Sequence, residues 1–406
     1  MKMVLAAYGS RGDVEPCAAV ARELQGRGHD VRIALSPDQL GLAESAGLRA
    51  VAYGPDSREQ INTATDFVHT VQNPISALPQ LTERVTAVWA AKSETLAALA
   101  AGADLLVAGM NEQRLAANVA QRVGAPLAAL HFFPADTLEL GWMQSHVTAA
   151  AEAAQRQALG LPVDAGRSDR AALEIQAYDE LCVPGLAEQW ATAGHRRPFV
   201  GSLTLGLATG VDDEVLSWIA DGTAPVYFGF GSTPVSSPAE TVAVISAACA
   251  RVGERALICS GPNDFSGIPP EDHVKIVPAV NHAAVFPACR AVVHHGGSGT
   301  TAAGLRAGVP MLILWLWLDQ PVWAEAVSAL EVGLARAFSA STLDSLTADL
   351  RCVLDGRYHD RAREVATRMT KPGESVAAAA DLLEEAARGA DRRRRARTVV
   401  QTRPVV

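Results

Sequence analysis

Two short segments of this sequence contain the residue types that could perform chemistry. The first, GSRGD, ends at Asp13 and follows an apolar run at residues 3–8. The second, HHGGSGT, begins at His294 and follows the apolar run AVV. Because each segment comes directly after a predicted buried strand, we expect both at a ligand-binding edge of a parallel sheet.

The second segment has the features of a diphosphate site. Its glycines let backbone N–H groups approach a ligand closely: Gly296, Gly297, Gly299 and Gly304. The helix predicted at residues 301–307 would present its positive N-terminal end to the same ligand. The next predicted strand, at residues 310–318, ends before Asp319 and Gln320, a pair suited to hydrogen-bonding hydroxyl groups. The pattern therefore predicts a nucleotide joined to a hydroxyl-rich group.

The elements that must position these segments alternate between short apolar runs and helical stretches, which is typical of parallel αβα sheets. In the N-terminal half, strands are predicted at residues 3–8, 30–35, 48–53, 104–108 and 126–131. In the C-terminal half, strands are predicted at residues 225–231, 256–260, 274–280, 291–294 and 311–317, and only helices after them. A Gly- and Thr-rich segment at residues 198–210 separates the two halves.

Length and composition fit this two-part organisation. A chain of 406 residues exceeds one ordinary core, so two domains of roughly 200 residues are expected. Hydrophobic residues make up 49% and charged residues 19%, which is typical of a globular protein. The formal net charge of −9 argues against nucleic acid as a partner.

The sequence gives little indication of a membrane-spanning segment or of a signal peptide. The longest apolar run, residues 309–318, is half of the roughly 20 residues that a membrane span needs. The N-terminus turns polar too early for a signal peptide. The six cysteines form no CxxC pair, which favours reduced thiols and a cytoplasmic location. The arginine run at residues 392–397 belongs either to a solvated, disordered tail or to a peripheral contact with anionic lipid.

Both chemical segments carry a resemblance to a known family. HHGGSGTTAAGLRAGVP followed by DQPVW resembles the donor-binding signature of GT-B glycosyltransferases. GSRGDVEP resembles the first loop of the branch, related to families 1 and 28, that glycosylates glycopeptides, sterols and lipids. The wording LWLDQPVWA is similar to that of actinobacterial enzymes acting on lipopeptides, such as mycobacterial glycopeptidolipid glycosyltransferases. The resemblance implies an α/β protein with two Rossmann-like αβα domains, whose parallel sheets face each other across a cleft.

The same resemblance implies an order of parts. These are an acceptor-binding domain at residues 1–200, a linker at 201–213, a nucleotide-sugar domain at 214–374, a helix at 375–390 that returns to the first domain, and a disordered basic tail at 391–406.

The resemblance makes Asp13 the catalytic base, which removes the acceptor hydroxyl proton as the oxygen attacks the anomeric carbon. Many GT-B enzymes use a histidine in this loop, whereas the nearest histidine here, His29, lies beyond the following helix. The loop near the base is completed by Ser10, Arg11 and Gly12. The alternative is that Asp13 only caps the helix predicted to start at Val14.

The resemblance assigns the donor diphosphate to the glycine-rich segment: His295, Gly297, Ser298, Gly299 and Thr300. Such donors stabilise the negative charge that grows on the departing nucleotide. His294 is expected to end the strand and to be structural. Ser232, after the FGFG strand, would reach the diphosphate from the other side, although a plain strand-to-helix turn is an alternative there.

Asp319 and Gln320 are expected to bind hydroxyl groups of the donor sugar, with a helix cap as the alternative role. Val280 and Asn281 are expected to lie against the nucleotide base. Plant-type members have a glutamate that grips the ribose where this chain has Ala303, so dTDP is as plausible a nucleotide as UDP.

Neither a metal nor a cofactor is expected. Adjacent residues of a strand point to opposite faces, so His294 and His295 cannot chelate one ion together. The chain also contains no DxD motif. Transfer without a metal ion is therefore predicted.

The acceptor site is predicted from aromatic residues after the strand at residues 126–131. These are His131, Phe132, Phe133 and Trp142, for which membership of the core is the alternative.

The combined prediction is an inverting, metal-independent glycosyltransferase. It would move a sugar, expected to be a deoxyhexose, from a dTDP- or UDP-sugar to a hydroxyl of a hydrophobic natural product, lipopeptide or lipid. The alternatives are a nucleotide-sugar epimerase of the same architecture and a non-catalytic partner of another glycosyltransferase. A dehydrogenase is disfavoured because the first loop lacks the third glycine of GxGxxG.

Overall fold

The computed structural model describes residues 1–60, 74–134, 142–163, 171–194, 197–233, 235, 237–265, 267–269 and 271–401, with side chains left out at 74–77, 142–143 and 390–401. The chain divides into two compact units. Unit 1 comprises Met1–Ala177, Ala187–Leu205 and the chain from Pro372 onward, and unit 2 comprises Tyr178–Leu186 and Gly206–Lys371. The predicted linker at 201–213 thus divides at Leu205, and a short piece of the first half, Tyr178–Leu186, belongs to unit 2.

Unit 1 contains a parallel sheet of six strands in the order β3-β2-β1-β4-β5-β6. The strands are β1 (Lys2–Ala7), β2 (Asp30–Leu35), β3 (Ala50–Ala52), β4 (Leu105–Ala108), β5 (Leu127–His131) and β6 (Leu173–Gln176). After its first residue, Lys2, the central strand β1 is apolar and buried, as parallel strands covered by helices on both faces are. In the register of the sheet, Val4 pairs with Arg32 on one side and with Leu106 on the other.

The helices of unit 1 cover this sheet. They are α1 (Arg11–Gly26), α2 (Leu40–Ser45), α3 (Pro74–Ala100), α4 (Gln113–Val123), α5 (Trp142–Ala158), α6 (Leu186–Thr192, which straddles the division) and α14 (Pro372–Gln401). A core cluster joins β1 and β4 to α3 and α4, and it includes Val4, Leu96, Leu106 and Val119. The core therefore lies directly beneath the strand ends from which the first chemical segment emerges.

Unit 2 repeats the topology of unit 1. Its parallel sheet has the order β12-β11-β10-β7-β8-β9, which is the same strand order read along the unit. The strands are β7 (Val226–Gly229), β8 (Ala256–Cys259), β9 (Val274–Val277), β10 (Ala291–His294), β11 (Met311–Trp315) and β12 (Gly333–Ala337). The helices are α7 (Asp212–Ala220), α8 (Pro238–Val252), α9 (His282–Val285), α10 (Ser298–Ala307), α11 (Gln320–Ala329), α12 (Leu343–Val353) and α13 (Gly356–Ala366). A cluster that includes Phe228, Ile258, Val293 and Leu350 fills the core.

Two strands were absent from the sequence prediction, and both lie at sheet edges. β6 reads LEIQ, and β12 reads GLARA where only helices were predicted. Edge strands are half exposed, so neither has the apolar run that indicates a buried strand. The helix α5 was also absent from the sequence prediction, which placed its first residue, Trp142, among the aromatic residues that follow the strand at 126–131.

The last helix is longer than predicted. α14 begins at Pro372 rather than 375 and continues through the arginine run to Gln401, where a disordered tail was expected from 391. Residues 402–406 of that predicted tail lie outside the described residues. The helix belongs to unit 1 and packs on α1, with Ala379, Ala380 and Leu383 fully buried. Directly after α1, Arg27 contacts Asp381 at 2.6 Å, and His29 contacts Glu384 at 3.0 Å.

Candidate functional site

Both chemical segments lie at the same topological position of their sheets. In each unit the strand order reverses between the first and fourth strands, which are β1 and β4 in unit 1, and β7 and β10 in unit 2. Open parallel sheets bind ligands in the crevice at this switch point, beyond the carboxyl ends of the strands. Asp13 follows β1, and His295 follows β10.

Asp13 lies within the first turn of α1 rather than in a loop before it. The helix begins at Arg11, so Arg11 and Gly12 are its first two residues, and Ser10 is the N-cap. Asp13 Oδ2 accepts hydrogen bonds at 2.8 Å from both the backbone N–H and the hydroxyl of Ser10. These residues form a capping box in which Ser10 is the N-cap and Asp13 the third helical residue, so Asp13 is not itself the cap that the alternative predicted before Val14. Arg11 points away, paired with Glu15 at 2.7 Å.

The second oxygen of Asp13 has a partner that the sequence did not suggest. Asn111 follows β4, and its Nδ2 donates to Asp13 Oδ1 at 3.1 Å and to the carbonyl of Tyr8 at 3.2 Å. Because β4 pairs with β1, the end of β4 reaches the start of α1. Gly9 leaves the space for this carboxylate, since a Cβ there would lie 2.5 Å from Asp13 Oδ2.

The pKa of Asp13 is raised above its ordinary value of 3.8. Burial of the carboxylate is the largest cause, and the negative charge of Glu112 adds to it. The hydrogen bonds from Ser10 and Asn111 act in the opposite direction, because they stabilise the charged form. A carboxylate that is held in place and has a raised pKa is suited to accept a proton.

In unit 2, His295 lies in a cradle of glycines. A Cβ on Gly231 would be 2.6 Å from its Cε1, and a Cβ on Gly297 would be 2.6 Å from its Nε2. Gly231 also has a φ of +60°, a left-handed conformation that favours glycine. Nδ1 is buried and makes no hydrogen bond of good geometry, although the backbone of Gly229 lies near it. Burial lowers the pKa of His295 to about 4, so the ring is neutral at pH 7.

His294 ends β10 as predicted and is fully buried. Its Nδ1 accepts a hydrogen bond from the N–H of Gly296 at 3.1 Å, which helps to shape the turn before α10. Burial holds the pKa of His294 well below its ordinary value.

The helix α10 begins earlier than predicted, at Ser298 instead of 301, with Gly297 as its N-cap. Ser298, Gly299 and Thr300 therefore form the first turn, whose N–H groups have no partner within the helix. Such a turn, with its positive dipole end, is a place for an anion. Ser232 lies exposed in the turn after β7, the strand next to β10.

Asp319 and Gln320 lie at the start of α11, beside the same turn. The backbone of Gly296 approaches Gln320 closely, since a Cβ there would be 3.2 Å from the Gln320 carbonyl oxygen. The side chain of Gln320 is buried, and its Oε1 accepts from the N–H groups of Leu316 at 2.7 Å and Trp317 at 3.3 Å. Asp319 Oδ2 accepts from Trp323 Nε1 at 2.9 Å. The side chain of Gln320 therefore mainly stabilises the turn before α11. The carboxylate of Asp319 is half-buried, and the hydrogen bond from Trp323 orients it.

The residues predicted for the nucleotide base are placed differently from each other. Val280 is buried. Asn281 caps α9, accepting from Ala283 N–H at 3.1 Å, and its own N–H donates to Asp212 at 2.8 Å. The side chain of Asn281 therefore has a structural role, and the prediction that it lies beside a base stays untested.

The predicted acceptor residues are largely core. His131 and Phe132 are buried and Phe133 is half-buried at the end of β5. The side chain of Trp142 lies outside the described residues. Burial of Phe132 at 4% exposure favours the core alternative for it.

Among the described residues, no group of three His, Cys, Asp or Glu side chains is arranged to hold a metal ion. Within the same residues, no helix is long and apolar enough to span a membrane.

Models of known protein families match parts of both units. Residues 3–105 match the family model of the glycosyltransferase family 28 N-terminal domain, and residues 236–383 match that of the erythromycin biosynthesis protein CIII-like C-terminal domain. An uncharacterized glycosyltransferase of Mycobacterium tuberculosis is 55% identical, over 96% of this chain and 100% of its own length. The vancomycin aglycone glucosyltransferase of Amycolatopsis orientalis is 29% identical over 93% and 96%. The crystal structure of the glycosyltransferase VinC in complex with dTDP matches with a TM-score of 0.68 at 20% identity, covering 97% of this chain and all of VinC.

Proposed function

Because the chain belongs to the GT-B glycosyltransferases of the natural-product branch, we propose that it transfers a deoxyhexose from a dTDP- or UDP-sugar, with inversion and without a metal ion. The acceptor is a hydroxyl of a hydrophobic natural product, lipopeptide or lipid. The relatives support the nucleotide and the class of acceptor, since VinC binds dTDP and the vancomycin enzyme acts on an aglycone.

The observation that carries the proposal is the state of Asp13. Its two oxygens are held by Ser10 and Asn111 at the switch point of unit 1, and its pKa is raised. In the proposed reaction Asp13 takes the hydroxyl proton while the acceptor oxygen forms a bond to the anomeric carbon. The bond from that carbon to the phosphate oxygen breaks, and the nucleoside diphosphate leaves.

The leaving group would be stabilised by unit 2. The neutral ring of His295 can donate one N–H, and the first turn of α10 offers further N–H groups from Ser298, Gly299 and Thr300. Preorganised donors of this kind replace a metal ion when they are aimed at the charge that develops. Asp319, oriented by Trp323, is the group proposed to bind the donor sugar.

A binding screen tests the donor half of the proposal. Thermal shift or calorimetry is run with dTDP, UDP, GDP, ADP and NAD, each with and without Mg²⁺. We expect dTDP or UDP to bind equally well in both conditions. Binding of NAD alone would contradict the proposal.

Product analysis tests the transfer half. Incubation with a panel of dTDP- and UDP-sugars and an apolar hydroxyl acceptor should release the nucleoside diphosphate and give one glycoside, whose anomeric configuration NMR can assign. Inversion supports the direct attack. Epimerised donor without glycoside would favour the epimerase alternative, and donor binding without any turnover would favour a non-catalytic partner.

A further inference from the structure

Behind Asp13, unit 1 contains a buried ion pair that touches none of the proposed reacting groups. Lys92 of α3 donates from Nζ to Glu112 Oε1 at 2.6 Å, and the two residues are only 5% and 2% exposed. The hydroxyl of Tyr53, also fully buried, donates to the other oxygen, Oε2, at 2.5 Å. Both oxygens of the buried carboxylate thus have a donor.

Stability alone does not account for this arrangement. Withdrawing two charges from water costs several kcal/mol per ion, and well-packed apolar side chains in place of a buried pair are often as stable or more stable. Burial lowers the pKa of Lys92, and Glu112 acts against this lowering. We therefore expect this ion pair to fix the positions of the chain segments next to it.

The pair touches the two segments that hold Asp13. Glu112 directly follows Asn111, which donates to Asp13 Oδ1. On the other side, Lys92 Nζ lies 3.4 Å from the centre of the Tyr8 ring. Tyr8 is followed by Gly9 and Ser10, the residues beside Asp13 Oδ2, and its hydroxyl donates to the carbonyl of Pro55 at 3.0 Å.

We propose that the Lys92–Glu112 pair is a positioning device for Asp13. Glu112 fixes Asn111 on the segment after β4, and Lys92 fixes Tyr8 on the segment after β1, so that both oxygens of Asp13 meet their donors in one geometry. The device rests on the proposed role of Asp13 as the base. Lys92 and Glu112 contact no substrate in this scheme, and they act through Asn111 and Tyr8.

The charge of Glu112 gives the device a measurable signature. It raises the pKa of Asp13, whereas the hydrogen bonds from Ser10 and Asn111 lower it, so loss of the charge and loss of the positioning change this pKa in opposite directions. Among the other titratable groups near Asp13, Cys17 on its own helix and Tyr8 directly after β1 have pKa values raised by burial, so both stay neutral at pH 7.

The test compares Glu112→Gln and the double variant Lys92→Met/Glu112→Gln with the wild type. The double variant is included because Glu112→Gln alone leaves a buried lysine unpaired and can fail to fold. The control is Asn118→Ala, which breaks a different buried network of unit 1, in which Asn118 bonds Gln155 and Arg156. Asn118→Ala should lose stability without affecting Asp13.

Two readouts decide the outcome. The carboxyl ¹³C resonance of Asp13, assigned by its loss in Asp13→Asn, is titrated in each protein. Loss of the Glu112 charge alone should lower the Asp13 pKa by roughly half to one pH unit. We expect a smaller fall or a rise, because donors that leave their places no longer stabilise the charged carboxylate. In the transfer assay, kcat should fall about tenfold with little change in the KM for the donor. A pKa that falls by the full effect of the charge, with a kcat equal to that of Asn118→Ala, would overturn the proposal. If the wild type transfers no sugar, the proposed function fails, and the titration still decides whether Lys92 and Glu112 position the donors of Asp13.

Discussion

Asp13 and His295 lie at the switch points of two sheets of the same strand order, Asp13 after the first strand of unit 1 and His295 after the fourth strand of unit 2. Their surroundings act on them in opposite ways. Both oxygens of the Asp13 carboxylate accept hydrogen bonds, Oδ2 from Ser10 and Oδ1 from Asn111, and the pKa of Asp13 is raised. His295 lies among glycines, its Nδ1 makes no hydrogen bond of good geometry, and burial lowers its pKa. In the proposed function, the chemistry of unit 1 belongs to one side chain, whereas that of unit 2 belongs mainly to the backbone of a helix turn.

The comparison shows what small residues do at such an edge. Gly9 makes room for a carboxylate, and Gly231 and Gly297 make room for a ring. Because the two units share their topology, the proposed function implies that the residues placed beside these glycines, and not the fold, decide whether the edge holds a base or an anion.

Replacement of Asp13 by asparagine should break the unit 1 side of the comparison most severely. Asp13→Asn keeps the shape but cannot accept the proton, so kcat should fall about 100- to 10,000-fold. Affinity for dTDP, measured by calorimetry, should be unchanged because the donor cradle lies in unit 2. Transfer at the wild-type rate would show that Asp13 is not the base.

Substitution of Gly297 should break the unit 2 side. The added Cβ of Gly297→Ala would meet His295 Nε2 at 2.6 Å and displace the ring. Loss of one hydrogen bond to a charged ligand should weaken dTDP binding roughly 10- to 100-fold. The matched control is Gly356→Ala in the same unit, where an added Cβ meets nothing within 4 Å. Equal affinity of the two variants for dTDP would show that the space around His295 does not matter for dTDP binding.

The pH dependence of stability should differ in sign between the two sites. The pKa of folded His295, about 4, lies below its unfolded value near 6.5, so the unfolded state binds the proton first as the pH falls. His295 should therefore destabilise the fold between about pH 6.5 and 4, by roughly 2–3 kcal/mol in all. The raised pKa of Asp13 acts oppositely, since its destabilising effect is relieved as the pH falls through that pKa.

Denaturant unfolding at several pH values can separate these contributions. His295→Gln should unfold with a shallower loss of stability on acidification than the wild type, because glutamine does not titrate. The same slope in both proteins would show that the ring titrates normally and is not enclosed.

The smallest effect is expected at Asp319. Trp323→Phe removes the indole N–H that orients this carboxylate and keeps most of the buried ring. The KM for the nucleotide-sugar should rise about fivefold, the equivalent of one neutral hydrogen bond. Affinity for dTDP, which has no sugar, should stay the same. A change in dTDP affinity instead would place Asp319 against the nucleotide.

The sequence was sufficient for the fold and family and for part of the site. The GT-B fold and the glycosyltransferase family are confirmed, because a glycine-rich turn after an apolar run leaves a local pattern. The role of Asp13 as base stays a prediction. The contact of Asn111 with Asp13 was not predicted. The two residues are 98 positions apart along the chain, and they meet because β4 pairs with β1. One usable hint was present, namely a polar pair, Asn111 and Glu112, close behind the buried strand β4.

Lys92 shows why the remainder could not be predicted. It lies in the middle of a long helix, and its partner, Glu112, is close only in the folded unit. A lysine within a helix is ordinarily solvated, so no pattern of composition or spacing indicates that this one is buried.

The path of the chain has a consequence for synthesis. Unit 1 is completed by α14, which is translated after all of unit 2, and its buried Ala379, Ala380 and Leu383 pack where α1 is already present. A nascent chain must therefore keep the apolar side of α1 uncovered until α14 leaves the ribosome. Truncation before α14 should thus damage the amino-terminal half of the protein, and neither unit is one uninterrupted stretch of the chain.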